Sequence, residues 1–482
     1  MTNNFKATIG IECHVQLNSV SKLFSGASND DREAQPNTLV NHIDFGLPGA
    51  LPVFNEEVLN LAIKAAVALK TRPQLFSVFD RKHYFYPDLP MGYQITQYDQ
   101  PIILGGKVEF MLDSKKMTVN ITRAHIEADA GKSTHPANKP YSLVDLNRAG
   151  TPLLEIVSEP EMHTPAEAKA YAKELYLLMR NAEVTAGDLY HGNMRFDVNV
   201  SVSDNNQLGV RTETKNLNSF RAVEKAVEYE IKRQVEVING GGKIVQETRG
   251  WNEAKQKTVS QRSKENADDY RYFPDPDLPP VVIDDKLIDQ LALSMHDSLD
   301  KQREDLKQLG LNNSQIENLI EANIDSKDAG YISLIRQFEE QGRNAKQLAN
   351  WLVNIDIPLM RETTSAADRY KLYFELSEMI NAAKLSSTNA KELIVACLNM
   401  DKLPDSIERH AIDQGLIQQS DESAIESAAN EVIQKNKQAV QDYLDGQTKV
   451  MGFLIGQVMA LTKGQANPGV AKKLLEKLLK EI

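Results

Sequence analysis

The 482-residue chain is 41% hydrophobic and 25% charged, with a net charge of -12. That balance suits a soluble globular protein of about two to four domains and argues against one that coats nucleic acid without selectivity, because phosphate contacts need Lys and Arg. Only Cys13 and Cys397 occur, too few for a disulfide framework or a four-sulfur zinc site, which points to a reducing, cytoplasmic home.

The first predicted element is a strand in TIGIECHVQL, residues 8–17. Nothing before it has the basic start and long apolar centre of a secretion signal. A helix is expected over 56–70, where Val58, Leu61, Ala62, Ala65, Ala66 and Leu69 recur at helical spacing. Strand patterns follow in RAHIEADA (123–130), MRFDVNVSV (194–202) and VRTETKN (210–216). Thr164-Pro165-Ala166-Glu167 combines an N-cap hydroxyl, Pro at the first helical position and Glu three residues after the cap, so a helix starts there. Another runs over 219–238 and stops at Gly240-Gly241-Gly242. PDPDLPP, residues 274–280, reads as a structured loop, since Pro cannot continue a helix or a central strand.

Beyond about residue 293 the pattern is almost wholly helical, with a second break at 402–406, KLPDS. The most apolar stretch, VMGFLIGQVMAL at 450–461, is too short to span a membrane. Charge changes sign within the C-terminal segment: residues 408–445 carry three cations against eight acids, whereas 449–482 carry six lysines against Glu476 and Glu481.

Period-two reading separates each strand into two faces. Ile11, Cys13, Val15 and Leu17 oppose Glu12, His14 and Gln16; Phe196, Val198, Val200 and Val202 oppose Arg195, Asp197, Asn199 and Ser201. Ala124, Ile126, Ala128 and Ala130 oppose Arg123, His125, Glu127 and Asp129, and Val210, Thr212 and Thr214 oppose Arg211, Glu213 and Lys215. A wet face is the ordinary meaning of such a row. Here carboxylates, imidazole, Arg and Asn come together instead, and adjacent acids would repel unless a cation neutralised them. An oxygen-liganded divalent ion such as Mg²⁺ suits Glu12, Glu127, Asp197 and Glu213, with His14 as a ligand, an outer contact or a substrate contact.

Gly131-Lys132-Ser133 resembles the end of a P-loop, but Ile126 stands where that motif needs Gly. No GxSxG or zinc HExxH pattern occurs, and Cys13 lies on the apolar side of its strand, away from His14. Any nucleotide is therefore held without a P-loop, with Lys82 and Lys215 as phosphate contacts.

DLNRAGTPLLEIVSEP (145–160), HYFYPDLPMGYQITQ (83–97), GIECHVQL, TRAHIEADAGK, MRFDVNVSV, RTETKNLNS and RSKENADDYRYFPDPDLPP (262–280) resemble the signatures of the B subunit of the glutamine-dependent aspartyl/glutamyl-tRNA amidotransferase, over essentially the whole chain. The resemblance implies an α+β protein: a largely antiparallel-sheet cradle with flanking helices at 1–293, an all-helical domain at 294–405 and a small helical, tRNA-gripping tail at 406–482. It also implies an ATP- and Mg²⁺-dependent ligase acting on mischarged Glu-tRNA(Gln) or Asp-tRNA(Asn). The side-chain carboxylate is phosphorylated, and ammonia released from glutamine by the A subunit displaces the phosphate. The C subunit completes a heterotrimer.

In the family's pattern the positions matching Glu12, His14, Glu127 and Glu213 surround the metal and do the catalysis; strand phase adds Asp197. Lys82, Lys215, Asn216 and Asn218 are the expected nucleotide or phosphate contacts. Many relatives carry CxC and CPxC where this chain has Ser25-Gly26-Ala27 and Asn41-His42-Ile43-Asp44, so no zinc is expected and packing must order that loop unless it is mobile. In the tail, Gly452 and Gly456 allow close approach of a backbone, and Lys472, Lys473, Lys477 and Lys480 offer phosphate contacts. The alternatives are a non-catalytic tRNA-binding scaffold with a solvated acidic row and a free-standing metal hydrolase.

Overall fold

The computed structural model describes residues 5–205, 207–263, 267–326, 330–359, 366–400, 402–417, 422–462 and 466–480. Lys463 of the basic tail and residues 264–266 of the motif at 262–280 lie outside them. The chain divides into two compact units, Met1–Ser298 and Leu299–Ile482. Among the described residues no helix is long and apolar enough to cross a membrane.

In the first unit the chain runs through β1 (Lys6–Gln16), α1 (Glu56–Ala68), β2 (Phe76–Ser77), β3 (Asp80–His83), β4 (Tyr93–Thr96), β5 (Ile103–Leu104), β6 (Lys107–Leu112) and β7 (Lys115–Ala128). It continues through β8 (Lys132–Thr134), β9 (Leu143–Asp145), β10 (Pro152–Ser158), α2 (Pro165–Asn181), β11 (Met194–Ser203), β12 (Thr212–Leu217) and α3 (Phe220–Asn239). Last come β13 (Glu247–Asn252), β14 (Lys257–Ser263), β15 (Phe273–Pro274), β16 (Val281–Val282) and α4 (Asp285–Ser294). The main sheet has the order β14-β13-β12-β11-β1-β10-β7-β5, with β6 paired to β7. Only the β12–β13 pair within it is parallel, so the expected largely antiparallel α+β architecture holds.

Local chemistry sets the flanking helices. Thr164 caps α2 by accepting the Glu167 N–H at 3.1 Å, and the Glu167 carboxylate accepts the His163 N–H at 2.6 Å. Ser219 caps α3 through the Ala222 N–H at 3.0 Å. The apolar side of β1 (Ile9, Ile11, Cys13, Val15) joins one core with Ala168, Tyr171, Ala172 and Leu175 of α2 and with Val223 and Val227 of α3. Phe196 of β11 is fully buried there and meets the Phe220 ring at 6.1 Å. The loop at 274–280 is tied down by Arg81 of β3, whose guanidinium donates to Asp275 at 2.8 Å and Asp277 at 2.7 Å.

The loop holding Ser25 and Asp44 is ordered by more than packing. Ser25 Oγ donates to Asp44 Oδ1 at 2.9 Å, the Asn41 N–H donates to Asp44 Oδ2 at 2.9 Å, and the buried Lys22 Nζ stands 3.5 Å from that oxygen. Burial holds the Lys22 amine below its ordinary range, against the pull of Asp44.

In the second unit, residues 402–406 lie between helices Ser387–Leu398 and Ile407–Asp413. Helices Glu422–Lys435, Lys437–Leu444, Val450–Leu461 and Pro468–Lys480 enclose a core of their own, including Ile425, Val432, Leu454, Val458, Leu475 and Leu479.

Phe196→Ala is expected to cost about 3–5 kcal/mol by opening a cavity between the sheet and α3. Denaturant titration of the two proteins measures this, and a loss below about 1 kcal/mol contradicts the packing described.

Candidate functional site

β1 lies between β10 and β11 and sets the register of the polar face. Glu12 is opposite Asp197 and His14 opposite Arg195 on β11; on the other side His14 is opposite Glu155, and Glu155 in turn opposite His125 on β7. The row Arg195–His14–Glu155–His125 thus crosses four strands with a cation at one end and a carboxylate between two imidazoles. A neighbouring row runs from Gln16 through Leu153 to Glu127.

His14 Nε2 lies 3.6 Å from Glu127 Oε1 and 3.7 Å from Glu155 Oε2. His125 Nε2 lies 3.8 Å from Glu127 Oε2 and 3.3 Å from Glu155 Oε2. His14, Glu127 and Glu155 each offer an atom within 4.8 Å of the others, and this is the one such group among the described residues. One nitrogen and two carboxylates suit a divalent cation.

His125 is buried, and its Nδ1 has no hydrogen-bond partner among the described residues. Burial opposes its charge, but Glu155 and Glu127 outweigh burial and raise its pKa to about 9. Burial likewise opposes ionisation of Glu155, yet His125, His14 and Lys82 hold that carboxyl well below the usual range. His125 therefore acts as a counter-charge facing Glu155 and Glu127.

The remaining expected ligands are engaged elsewhere on the same face. Lys215 Nζ lies 2.8 Å from Asp197 Oδ2 and 3.2 Å from Glu213 Oε1, and Thr248 Oγ1 donates to Glu213 at 2.9 Å. The Asn216 N–H donates to Asp197 Oδ1 at 3.0 Å, and Asn199 Nδ2 donates to Glu12 Oε1 at 2.9 Å. Burial works against the Lys215 charge, but Asp197 and Glu213 raise its pKa; Lys215 in turn lowers that of Asp197 against burial. Of the five residues expected around one ion, His14 and Glu127 converge, whereas Asp197 and Glu213 surround an ammonium and Glu12 holds an amide.

Lys82 of β3 stands 4.8 Å from the Tyr270 ring centroid and 5.8 Å from that of Tyr84, close enough for its charge to act on Glu155. Its surroundings form an aromatic wall, in which Tyr272 stacks on Tyr98 at 4.0 Å. Asn218 is exposed just before the α3 cap, and Lys472, Lys473, Lys477 and Lys480 are exposed on the last helix, Lys472 lying 3.8 Å from Glu476. Gly452 and Gly456 are exposed, and no described atom approaches within 4 Å of where their Cβ atoms would stand. The close approach those glycines permit is not made within the tail.

Glu155 was not a sequence candidate. Its signal is its place in PLLEIVS: it is the sole charged group of the strand, on a face it shares with Leu153 and Val157. His125 was visible as a member of a polar row, but its role as counter-charge follows only from the pairing of β7 with β10.

Residues 7–289 match the family described as the GatB/GatE catalytic domain, and residues 333–479 match the GatB domain family. The chain is 42% identical over 487 residues to the aspartyl/glutamyl-tRNA(Asn/Gln) amidotransferase B subunit of Thermodesulfovibrio yellowstonii, covering 99% of this chain and 100% of that protein. It is 40% identical over 494 residues to the B subunit of Carboxydothermus hydrogenoformans, covering 99% of each, and 42% identical over 490 residues to that of Halorhodospira halophila, covering 98% and 99%. With residues 7–289 and 333–479 matched by the family models and 98–99% of the chain covered by these relatives, the chain belongs to the family of aspartyl/glutamyl-tRNA(Asn/Gln) amidotransferase B subunits.

Proposed function

We propose that the polar face of the sheet binds ATP and Mg²⁺ and activates the side-chain carboxylate of Glu-tRNA(Gln) or Asp-tRNA(Asn) for amidation. The observation that carries this reading is the convergence of His14, Glu127 and Glu155 to within 4.8 Å. A carboxylate is a poor electrophile because ammonia would have to expel oxide; phosphorylation by ATP supplies a leaving group. His14, Glu127 and Glu155 would hold the magnesium, which when bound offsets charge gathering on the transferred phosphoryl group.

The chain's own residues do the rest. His125 faces both Glu127 and Glu155 and, with His14 and Lys82, holds the Glu155 carboxyl well below the usual range, so that Glu155 presents negative charge to a cation. Lys215, between Asp197 and Glu213, and Lys82, against the aromatic wall, are cations able to contact phosphate; Asn216 and Asn218 border the Lys215 cluster. Glu12 is held by Asn199 on the same face as these groups. Ammonia comes from glutamine by way of the amidotransferase A subunit, the C subunit completes the heterotrimer, and the assembly works in the cytoplasm. The tail grips tRNA with Lys472, Lys473, Lys477 and Lys480, and the open surface over Gly452 and Gly456 lets an RNA backbone approach.

Three outcomes test this. Glu155→Gln is expected to weaken Mn²⁺ binding to the isolated chain at least tenfold, read by electron paramagnetic resonance titration, and unchanged affinity removes Glu155 from the metal site. In the assembled enzyme, Glu12→Ala and Glu127→Ala should lose the ATP hydrolysis that depends on Glu-tRNA while still binding tRNA; retained turnover would leave a tRNA-binding scaffold. Deleting 408–482 should abolish tRNA binding with the cradle still folded, and unchanged affinity refutes the tail's role. Because the cysteines of relatives are absent, we also propose that the loop holding Ser25 and Asp44 carries no zinc. Metal analysis finding one tightly held zinc per chain would overturn that.

A further inference from the structure

β12, α3 and β13 form a crossover: the helix takes the chain from one strand to its parallel neighbour and lies behind the sheet, opposite the candidate site. Helical spacing puts Val223, Val227, Glu230 and Gln234 on one buried stripe of α3. The first half of that stripe is apolar and joins the core. The second half is polar, yet neither Glu230 nor Gln234 has any exposure.

Each strand behind which α3 passes sends a group to this polar half. Thr212 Oγ1 of β12 donates to Glu230 Oε2 at 2.9 Å, Thr258 Oγ1 of β14 donates to Glu230 Oε1, and Arg249 Nε of β13 stands 3.0 Å from Oε1. Arg249 Nε also donates to Thr258 Oγ1 at 2.7 Å, and Arg233 Nη2, from α3 itself, donates to Glu230 Oε2 at 2.8 Å. Gln234 Nε2 donates to Thr212 Oγ1 and to the Val200 carbonyl of β11, both at 3.0 Å. Burial opposes the Glu230 charge, but Arg233, Thr258 and Arg249 hold its carboxyl below the ordinary range. A buried ion pair is weak evidence for stability, because apolar groups of similar volume often serve as well; direction is what it adds.

Direction matters here because apolar burial decides which face of β13 is covered but not its register. A slide of two residues would keep every side chain on its own face. The flanking ladders are irregular at this point: register shifts fall between Phe196 and Val198 on β11 and between Thr248 and Arg249 on β13, and Asn216 takes φ +64°. In the observed pairing Thr248 is opposite Glu213 and Gly250 is opposite Lys215. Thr248 Oγ1 donates to Glu213 on the site face, while Arg249, the next residue, turns to Glu230 behind the sheet. A two-residue slide would set Thr248 against Lys215 or Arg211. Glu213, one of the two carboxylates that hold the Lys215 ammonium, would lose the hydroxyl that orients it.

We propose that Glu230 is a positioning residue for the reaction: from behind the sheet it fixes β13 against β12, and so fixes where the Lys215 ammonium stands for a phosphate of ATP. Glu230 itself touches no reacting atom. The inference rests on the reading of Lys215 as a phosphate contact and deepens it by naming the group that holds that contact in place.

In the assembled enzyme, Glu230→Gln is expected to weaken binding of a non-hydrolysable ATP analogue about tenfold by calorimetry, the lower end of what loss of an outer supporting partner costs a bound ion. KM for Glu-tRNA should not change, and amide hydrogen exchange should quicken in 212–217 and 247–252 but not in β1 or β10. Thr258→Val keeps the shape and strand preference of the residue and carries the same test should Glu230→Gln not assemble; its expected loss is about threefold, since one net hydrogen bond is at stake, with Thr258→Ser restoring the affinity. Unchanged analogue affinity in a folded Glu230→Gln or Thr258→Val enzyme, or an equal loss of affinity for tRNA, overturns the positioning role. Lys215→Met separates the two readings: normal binding of the analogue by that variant sinks the phosphate contact itself, whereas weak binding there beside normal binding in Glu230→Gln sinks only the role of Glu230.

Discussion

The antiparallel register of β1 against β10 and β11 is the constraint on which the rest of the first unit depends. Side chains on a strand alternate between faces, so a slip of one residue would drive Glu12, His14 and Gln16 into the core and bring Ile11, Cys13 and Val15 out of it. The observed register puts Glu12 opposite Asp197 and His14 between Arg195 and Glu155. It is held from below by the fully buried row of β1 packed against α2 and α3. The hydrophobic face thereby specifies where the charged face stands.

That charged face is a problem in electrostatics before it is a site. Glu127, Asp197 and Glu213 are all buried, and buried acids left alone would take up protons or open the fold. Each has a cation beside it: His125 for Glu127 and Glu155, and Lys215 for Asp197 and Glu213. Arg195 pairs with Asp129 at 2.9 Å in the same manner. The face is consequently divided into compensated clusters rather than forming one acidic pool. Only the His14, Glu127 and Glu155 group presents three ligand atoms to a shared space among the described residues.

The loop with Lys22, Ser25 and Asp44 shows the same physics away from the chemistry. An ammonium without exposure and a carboxylate with hydroxyl and amide donors tie residues 22 to 44 together. Gly150 is part of that arrangement: its φ is +82°, and a Cβ there would stand 2.9 Å from Asp44 Oδ1. Charge-assisted hydrogen bonds and close backbone approach order this segment.

Strand phase, helix caps and the break to an all-helical second half were legible in the chain itself, because they depend on neighbours within a few residues. Thr164 caps the helix expected of it, the helix expected over 219–238 forms, and the polar sides of β1, β7, β11 and β12 were separable by parity alone. Which polar residues meet was not legible, since pairing order and diagonal contacts are long-range. Nothing local says that β10 lies between β1 and β7, and so nothing local says that Glu155 replaces Glu12 beside His14, or that Lys215 claims Asp197 and Glu213. Sequence by itself determined the two faces and the kinds of group they carry; the tertiary structure decided their partners, because a carboxylate's role depends on which cation or imidazole the neighbouring strand brings within reach.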